Sequence, residues 1–244
     1  MIIADQPTCL PLTVLAKVSS RSDGTVLDRT SSIHSAEAVA NRVRFCELND
    51  VSYDNVVYQR IEYGKTQQYD KIIEVGEDST TRYVADVAAD ALFTRTKQVG
   101  LLLPVADCVA TVVYDQRQGF IALVHLGRHS TLAHLARKVI DYFVSEGSAA
   151  SDITIWMSPS AKRETYKLAW FDAASDPDWQ GFVDVRGGEF YLDLPGYNRA
   201  QFIQAGVSSD AIHVSPTDTM NNPDYFSHQS GDVAGRIAVL AMMK

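Results

Sequence analysis

The sequence predicts a layered α/β or α+β fold. Three observations predict it. Several short runs are apolar on both faces, as strands buried within a sheet are. Amphipathic stretches at helical spacing lie between them. No linker, internal repeat or low-complexity tract interrupts the 244 residues, so residues 1–244 read as a single domain. Thr13 to Ser19 is apolar enough for a strand and ends in the turn cluster Arg21-Ser22-Asp23-Gly24. Ser35 is a good helix N-cap, and Ala36, Val39, Val43 and Cys46 follow at helical spacing, which places Cys46 in the core. Val56 to Tyr58, Ile72 to Val75, Leu101 to Val105, Val109 to Tyr114 and Phe120 to Val124 read as strands. Thr131 to Ser145 reads as one helix closed by Gly147, with Leu132, Leu135, Val139, Tyr142 and Phe143 on its apolar face. Asp152 to Met157, Phe190 to Leu194 and Ile212 to Ser215 complete the strands, and Pro195 opens a helix to about Ala205. Gly235 to Met243 is apolar and fits either state.

Composition narrows the functional classes. Lys and Arg total 22 against 30 Asp and Glu, a net charge of −8, and no basic stripe marks a nucleic-acid binder. No apolar run approaches the ~20 residues of a membrane helix. The N-terminus has no basic start followed by a long apolar stretch, so no secretory signal is read there. Cys9, Cys46 and Cys108 are too few, and odd in number, for a disulfide framework; a reducing cytoplasm is the expectation.

The chemistry concentrates between Pro104 and Gly127. Two strands are joined there by Asp115-Gln116-Arg117-Gln118-Gly119. A four-residue loop over 115–118 pairs Tyr114 with Gly119 and sets Cys108 across from His125. Directly opposed side chains have Cβ atoms roughly 4.5–5.5 Å apart. A thiol beside an imidazole is a nucleophile pair, or two of the four ligands zinc requires, or simply a buried cysteine next to a hydrogen-bonded core histidine. Asp107 adds a carboxylate placed to ligate or orient. His34, His129 and His228 are within reach of the pair; His134 falls on a polar helix face and His213 in a strand. A Gly-x-Ser-x-Gly elbow and a Gly-rich phosphate loop are both missing from the sequence, which leaves serine hydrolases and phosphate-cradle enzymes unsupported.

Several ordered motifs carry a resemblance. Ala91 to Thr96, Val105-Ala106-Asp107-Cys108-Val109 and Ala122-Leu123-Val124-His125-Leu126-Gly127 are similar to the "ADA-TR", "TADCVP" and "AVHAGWRG" pattern of the laccase-domain family, which includes zinc-dependent purine nucleoside phosphorylases. Ser20 to Gly24, Asn41-Arg42, Ser158 to Tyr166, Asp193 to Ala205 and Asn222 to His228 with Gly235-Arg236 match further pieces in the same order, so that almost the whole chain is covered. The resemblance implies two packed mixed β-sheets flanked by helices, a four-layer α/β/β/α sandwich. It implies phosphorolysis of purine nucleosides, and in some members adenosine deamination, with a purine nucleoside and phosphate as small-molecule partners. It implies zinc held by one Cys and two His, which carries over to Cys108, His125 and position 63, where this chain has Tyr63. Arg21, His129, His228 and Arg236 fall at substrate- and phosphate-binding positions; His129 and Gln229-Ser230 stand where the pattern has arginines. Multi-copper chemistry would need more histidine than the six present. Two other readings stay open: a Cys–His hydrolase or deamidase, and a non-catalytic ligand-binding paralogue.

Overall fold

The computed structural model describes residues 1–244. Its strands are β1 (Val14–Val18), β2 (Val56–Arg60), β3 (Ile72–Glu74), β4 (Val87–Ala88), β5 (Ala91–Thr94), β6 (Gly100–Val105) and β7 (Val109–Asp115). They continue with β8 (Phe120–Leu126), β9 (Ile153–Met157), β10 (Lys167–Leu168), β11 (Val183–Arg186), β12 (Glu189–Leu192), β13 (Ile212–Val214) and β14 (Ile237–Met243). The helices are α1 (Ala36–Glu47), α2 (Arg128–Leu132), α3 (Leu135–Ser145) and α4 (Leu194–Gln204). One sheet has the order β1-β14-β6-β2-β4, the second β13-β9-β7-β8-β5-β3, and a small third sheet β10-β12-β11.

Side-chain alternation explains the layers. Leu101 and Leu103 of β6 and Val239 and Ala241 of β14 meet Val112, Tyr114, Ile121 and Leu123 of β7 and β8 in the core between the two large sheets. The intervening residues Leu102, Leu240 and Met242 face the other way and bury Phe45 and Cys46 of α1. On the opposite side, Val113, Phe120, Ala122 and Val124 cover Val139, Ile140 and Phe143 of α3 and Phe202 of α4. The result is helix, sheet, sheet, helix, the four-layer sandwich the resemblance implied. The Ser35 hydroxyl accepts from the amide of Ala38 and starts α1 as expected. Gly235 to Met243 resolves as a strand, β14.

Two local expectations are corrected. The β7–β8 register pairs Asp115 with Phe120 and Ala110 with His125, not Cys108 with His125. Asp115 is the last strand residue, because its carboxylate accepts from the amides of Arg117 (2.8 Å) and Gln118 (3.2 Å) and closes the turn itself. The displacement is two residues, so parity holds and Cys108 stays on the same face as His125. The helix expected over Thr131 to Ser145 is instead α2 and α3, broken at His134 in the left-handed region (φ 57°). Gln201 of α4 donates to the Thr131 carbonyl (3.1 Å), the acceptor that a continuous helix would have offered to Leu135.

Candidate functional site

The site lies where β6 and β8 end and β7 begins. Asp107 sits between β6 and β7 with φ 67°, a conformation Asp tolerates better than most residues. That turn brings the partly buried Cys108 back over the same sheet face as His125. Gly127, just beyond β8, makes the space: a Cβ there would lie 3.0 Å from Cys108 Sγ and 3.3 Å from His125 Nε2. Thiol and imidazole therefore converge on a single small volume, and any side chain at 127 would fill it.

A cavity of about 420 Å³ opens over this pair. Arg29, Arg128 and Arg236 line it, together with His125, His129 and His228; no Asp or Glu does. Tyr63, Tyr69 and Tyr166 supply aromatic wall. The Tyr69 ring stacks on His129 at 4.6 Å and lies 6.4 Å from Tyr63, and the Arg29 guanidinium covers the Tyr63 ring at 4.7 Å. Tyr69 is itself in the left-handed region (φ 58°), and its hydroxyl both donates to the Gly64 carbonyl and accepts from the Gly64 amide, which closes the loop carrying both tyrosines. A second cavity of about 240 Å³ shares Arg29, Tyr63, Pro104 and Arg236 with the first.

Burial controls the charge of the central pair. It pushes the Cys108 thiol up to about 12, helped by the Asp107 carboxylate and opposed by Arg236, Arg29 and Arg128. It pushes the His125 imidazole down to about 4, reinforced by Arg236 and Arg29. Both groups are neutral at pH 7, which is not the thiolate–imidazolium state of a cysteine nucleophile. Iodoacetamide at pH 7.5 is expected to modify Cys108 more than tenfold slower than a free thiol. Peptide mass spectrometry over time checks this, and half-complete labelling of Cys108 within minutes would contradict it. Burial also lowers the Arg236 guanidinium, with Arg29 adding repulsion, and keeps the phenol of Tyr166 protonated; Tyr63 is half exposed, and its phenol is protonated at neutral pH as any tyrosine's is.

The other residues expected at the site divide. Arg236, His129, His228 and Tyr63 line the cavity. Arg21 does not: it pairs with Asp232 (2.6 Å) and donates to the carbonyls of Pro223 (2.9 Å) and Tyr225 (2.7 Å), so it braces a loop. Asp107 does not line it either. Its carboxylate accepts from the hydroxyls of Thr219 (2.8 Å) and Ser227 (3.1 Å) and the amide of Gln229 (2.9 Å). It thus holds the segment that carries His228 and Gln229. His34 is paired with Asp86 (2.9 Å), away from the cavity. Sequence reasoning missed Arg29, Arg128, Tyr69 and Tyr166. Arg128 neighbours His129 in a quoted motif and was accessible to it; Arg29 and Tyr69 stand in loops with no pattern to betray them.

The donor set does not fit the implied zinc. A catalytic zinc takes three protein ligands, and no group of three His, Cys, Asp or Glu is arranged to hold a metal. Position 63 offers a protonated phenol. His125 Nδ1 is buried without a hydrogen-bond partner, although a metal-bound histidine nearly always donates its other N–H to an outer acceptor.

Fold and cavity together define a four-layer α/β/β/α protein with a cation-lined small-molecule pocket at the strand ends of its large sheets. Residues 26–244 match the family described as multi-copper polyphenol oxidoreductase laccase, and the chain belongs to that family. It is 26% identical over 212 residues to a purine nucleoside phosphorylase of Mycobacterium tuberculosis, covering 86% of this chain and 80% of the relative. It is 25% identical over 201 residues to the purine nucleoside phosphorylase YlmD of Bacillus subtilis, covering 80% and 72%. Among solved structures, YlmD from Geobacillus stearothermophilus superposes with a TM-score of 0.82 at 21% identity, covering 96% of this chain and 93% of that one. The YfiH protein of Bacillus licheniformis gives 0.81 at 22%, covering 95% and 93%.

Proposed function

We propose that this chain is a purine nucleoside phosphorylase that binds nucleoside and phosphate together in the cavity over Cys108 and His125. The observation that carries the reading is the lining itself: three arginines and aromatic walls with no carboxylate. Guanidinium groups hold phosphate by short charge-assisted hydrogen bonds. Tyrosine and histidine rings suit the flat purine, and the volume lies within the range of small-ligand sites. In phosphorolysis a phosphate oxygen forms a bond to the anomeric carbon and the bond from that carbon to the purine nitrogen breaks. The purine leaves with the electron pair and takes up a proton, for which the protonated phenols of Tyr63 and Tyr166 are the donors at hand. The arginines hold the attacking anion in place, and orientation of that kind is a major part of rate enhancement. The fixed positive charge favours an anionic co-substrate, so the reading takes phosphorolysis rather than adenosine deamination.

The test is incubation of pure protein with inosine or adenosine, with and without phosphate, following free base and ribose 1-phosphate by chromatography. Base release that requires phosphate is expected. No release from either metal-supplemented or chelator-treated protein overturns it. The two-donor centre favours a second reading, a ligand-binding paralogue without turnover. Thermal stabilisation by inosine with no base released would select it.

A further inference from the structure

Several of this protein's arginines are neutralised by carboxylates. Arg21, Arg60, Arg95 and Arg163 each hold an Asp or Glu. Arg29, Arg128 and Arg236 pair with none, in a chain with eight more acidic than basic groups. Arg236 is the telling case. It is only 6% exposed, and the partners it has are the backbone carbonyls of Gly235 (2.6 Å), Val233 (3.4 Å) and Asp232 (3.5 Å), all reached by one nitrogen, Nη1. A buried guanidinium without a carboxylate is unfavourable in the free protein, and an anion in the cavity relieves it. Arg29 lies over the ring of Tyr63, the residue that stands in place of a metal-ligating histidine. Two fixed cations beside that position repel a dication and attract an oxyanion.

We propose that in this chain Arg29, added to the Arg236 that the family pattern also carries, supplies the positive charge that zinc supplies there, so that the cavity binds a phosphate-class oxyanion without a metal ion. Tyr63 is then part of the replacement rather than a damaged ligand: its ring seats Arg29, and its phenol leaves the Cys108–His125 pair one donor short. The proposal deepens the phosphorylase reading by fixing what binds the anion, but its test needs no turnover.

The experiment uses untagged full-length protein incubated with zinc, then passed through size exclusion, and counted for metal by elemental analysis. Inorganic phosphate is the probe, read as a shift in melting temperature with and without chelator. Wild type is expected to keep less than about a tenth of a zinc per chain, because two donors hold zinc weakly. Its phosphate shift is expected to be the same with chelator present. Tyr63→His is expected to retain close to one zinc per chain, by completing a three-donor set. Arg29→Met is expected to weaken phosphate binding about tenfold, as loss of one charged contact does. Wild type retaining stoichiometric zinc, or a phosphate shift abolished by chelator, overturns the proposal. If Tyr63→His does not fold, the wild-type zinc count and Arg29→Met still decide it. Absence of nucleoside cleavage bears only on the phosphorylase reading.

Discussion

Replacing Arg236 by methionine is expected to weaken phosphate binding about a hundredfold while leaving the melting temperature of the unliganded protein unchanged or slightly higher. The two halves of that result have one cause. Arg236 is buried, carries no carboxylate partner, and its charge is disfavoured by burial and by Arg29. Methionine keeps the apolar stem and removes the uncompensated charge, so the free fold loses three backbone contacts but gains relief of desolvation. With phosphate present the order reverses, since wild type gains the ion pair and the variant does not. Arg21→Met is the control. Arg21 holds Asp232 and two carbonyls of the 223–225 segment outside the cavity, so its loss is expected to lower the melting temperature and leave phosphate affinity alone. Isothermal titration with inorganic phosphate, alongside thermal melts, separates the two arginines. Equal loss of phosphate affinity in both would mean that the anion does not sit on Arg236. Such an opposition between ligand binding and stability is common where a site holds charges that the fold itself does not need.

The contrast between these arginines shows what the sequence could and could not convey. Both fell at expected anion-binding positions, because a motif reports that an arginine is present and not what it holds. The elements that depend on local pattern were legible: the N-cap at Ser35, the paired apolar runs of β7 and β8, and the strand ending at Met157. The Cys108–His125 meeting was legible for a more robust reason than the register used to find it. A two-residue displacement caused by Asp115 changed the directly opposed partner yet kept both side chains on one face. What escaped was set by distant chain. The break at His134 falls where the Thr131 carbonyl accepts from the His134 amide and from Gln201 of α4 instead of from Leu135, and no residue between 131 and 145 announces it. The cavity joins loops around Arg29, Tyr63 and Tyr69 to strand ends at Val105 and His125, so its charge emerges only once those segments are brought together.

Asp107 leads to the second large effect, one of structure rather than chemistry. Asp107→Ala is expected to destabilise the protein by about 4 kcal/mol and to lower its melting temperature by about 10 °C. The carboxylate is 6% exposed and accepts from Thr219, Ser227 and the amide of Gln229, and each hydrogen bond to a buried charge is worth ~1.5–3 kcal/mol without full additivity. Alanine also fits poorly at φ 67°. Asp107→Asn keeps the conformational tolerance and one oxygen, but turns an amide N–H2 toward a group that also donates, so about half the loss is expected. Hydrogen exchange gives the readout that distinguishes a positioning role. The amides of Gln229 and Ser230, the latter donating to Ser227 Oγ at 3.1 Å, should lose protection in both variants while those of β7 and β8 keep theirs. Because His228 and Gln229 ride on this segment, phosphate and nucleoside affinity should fall in step with the lost protection. An Asp107→Asn protein that melts like wild type, with Gln229 still protected, would instead return the carboxylate to the chemistry of the cavity.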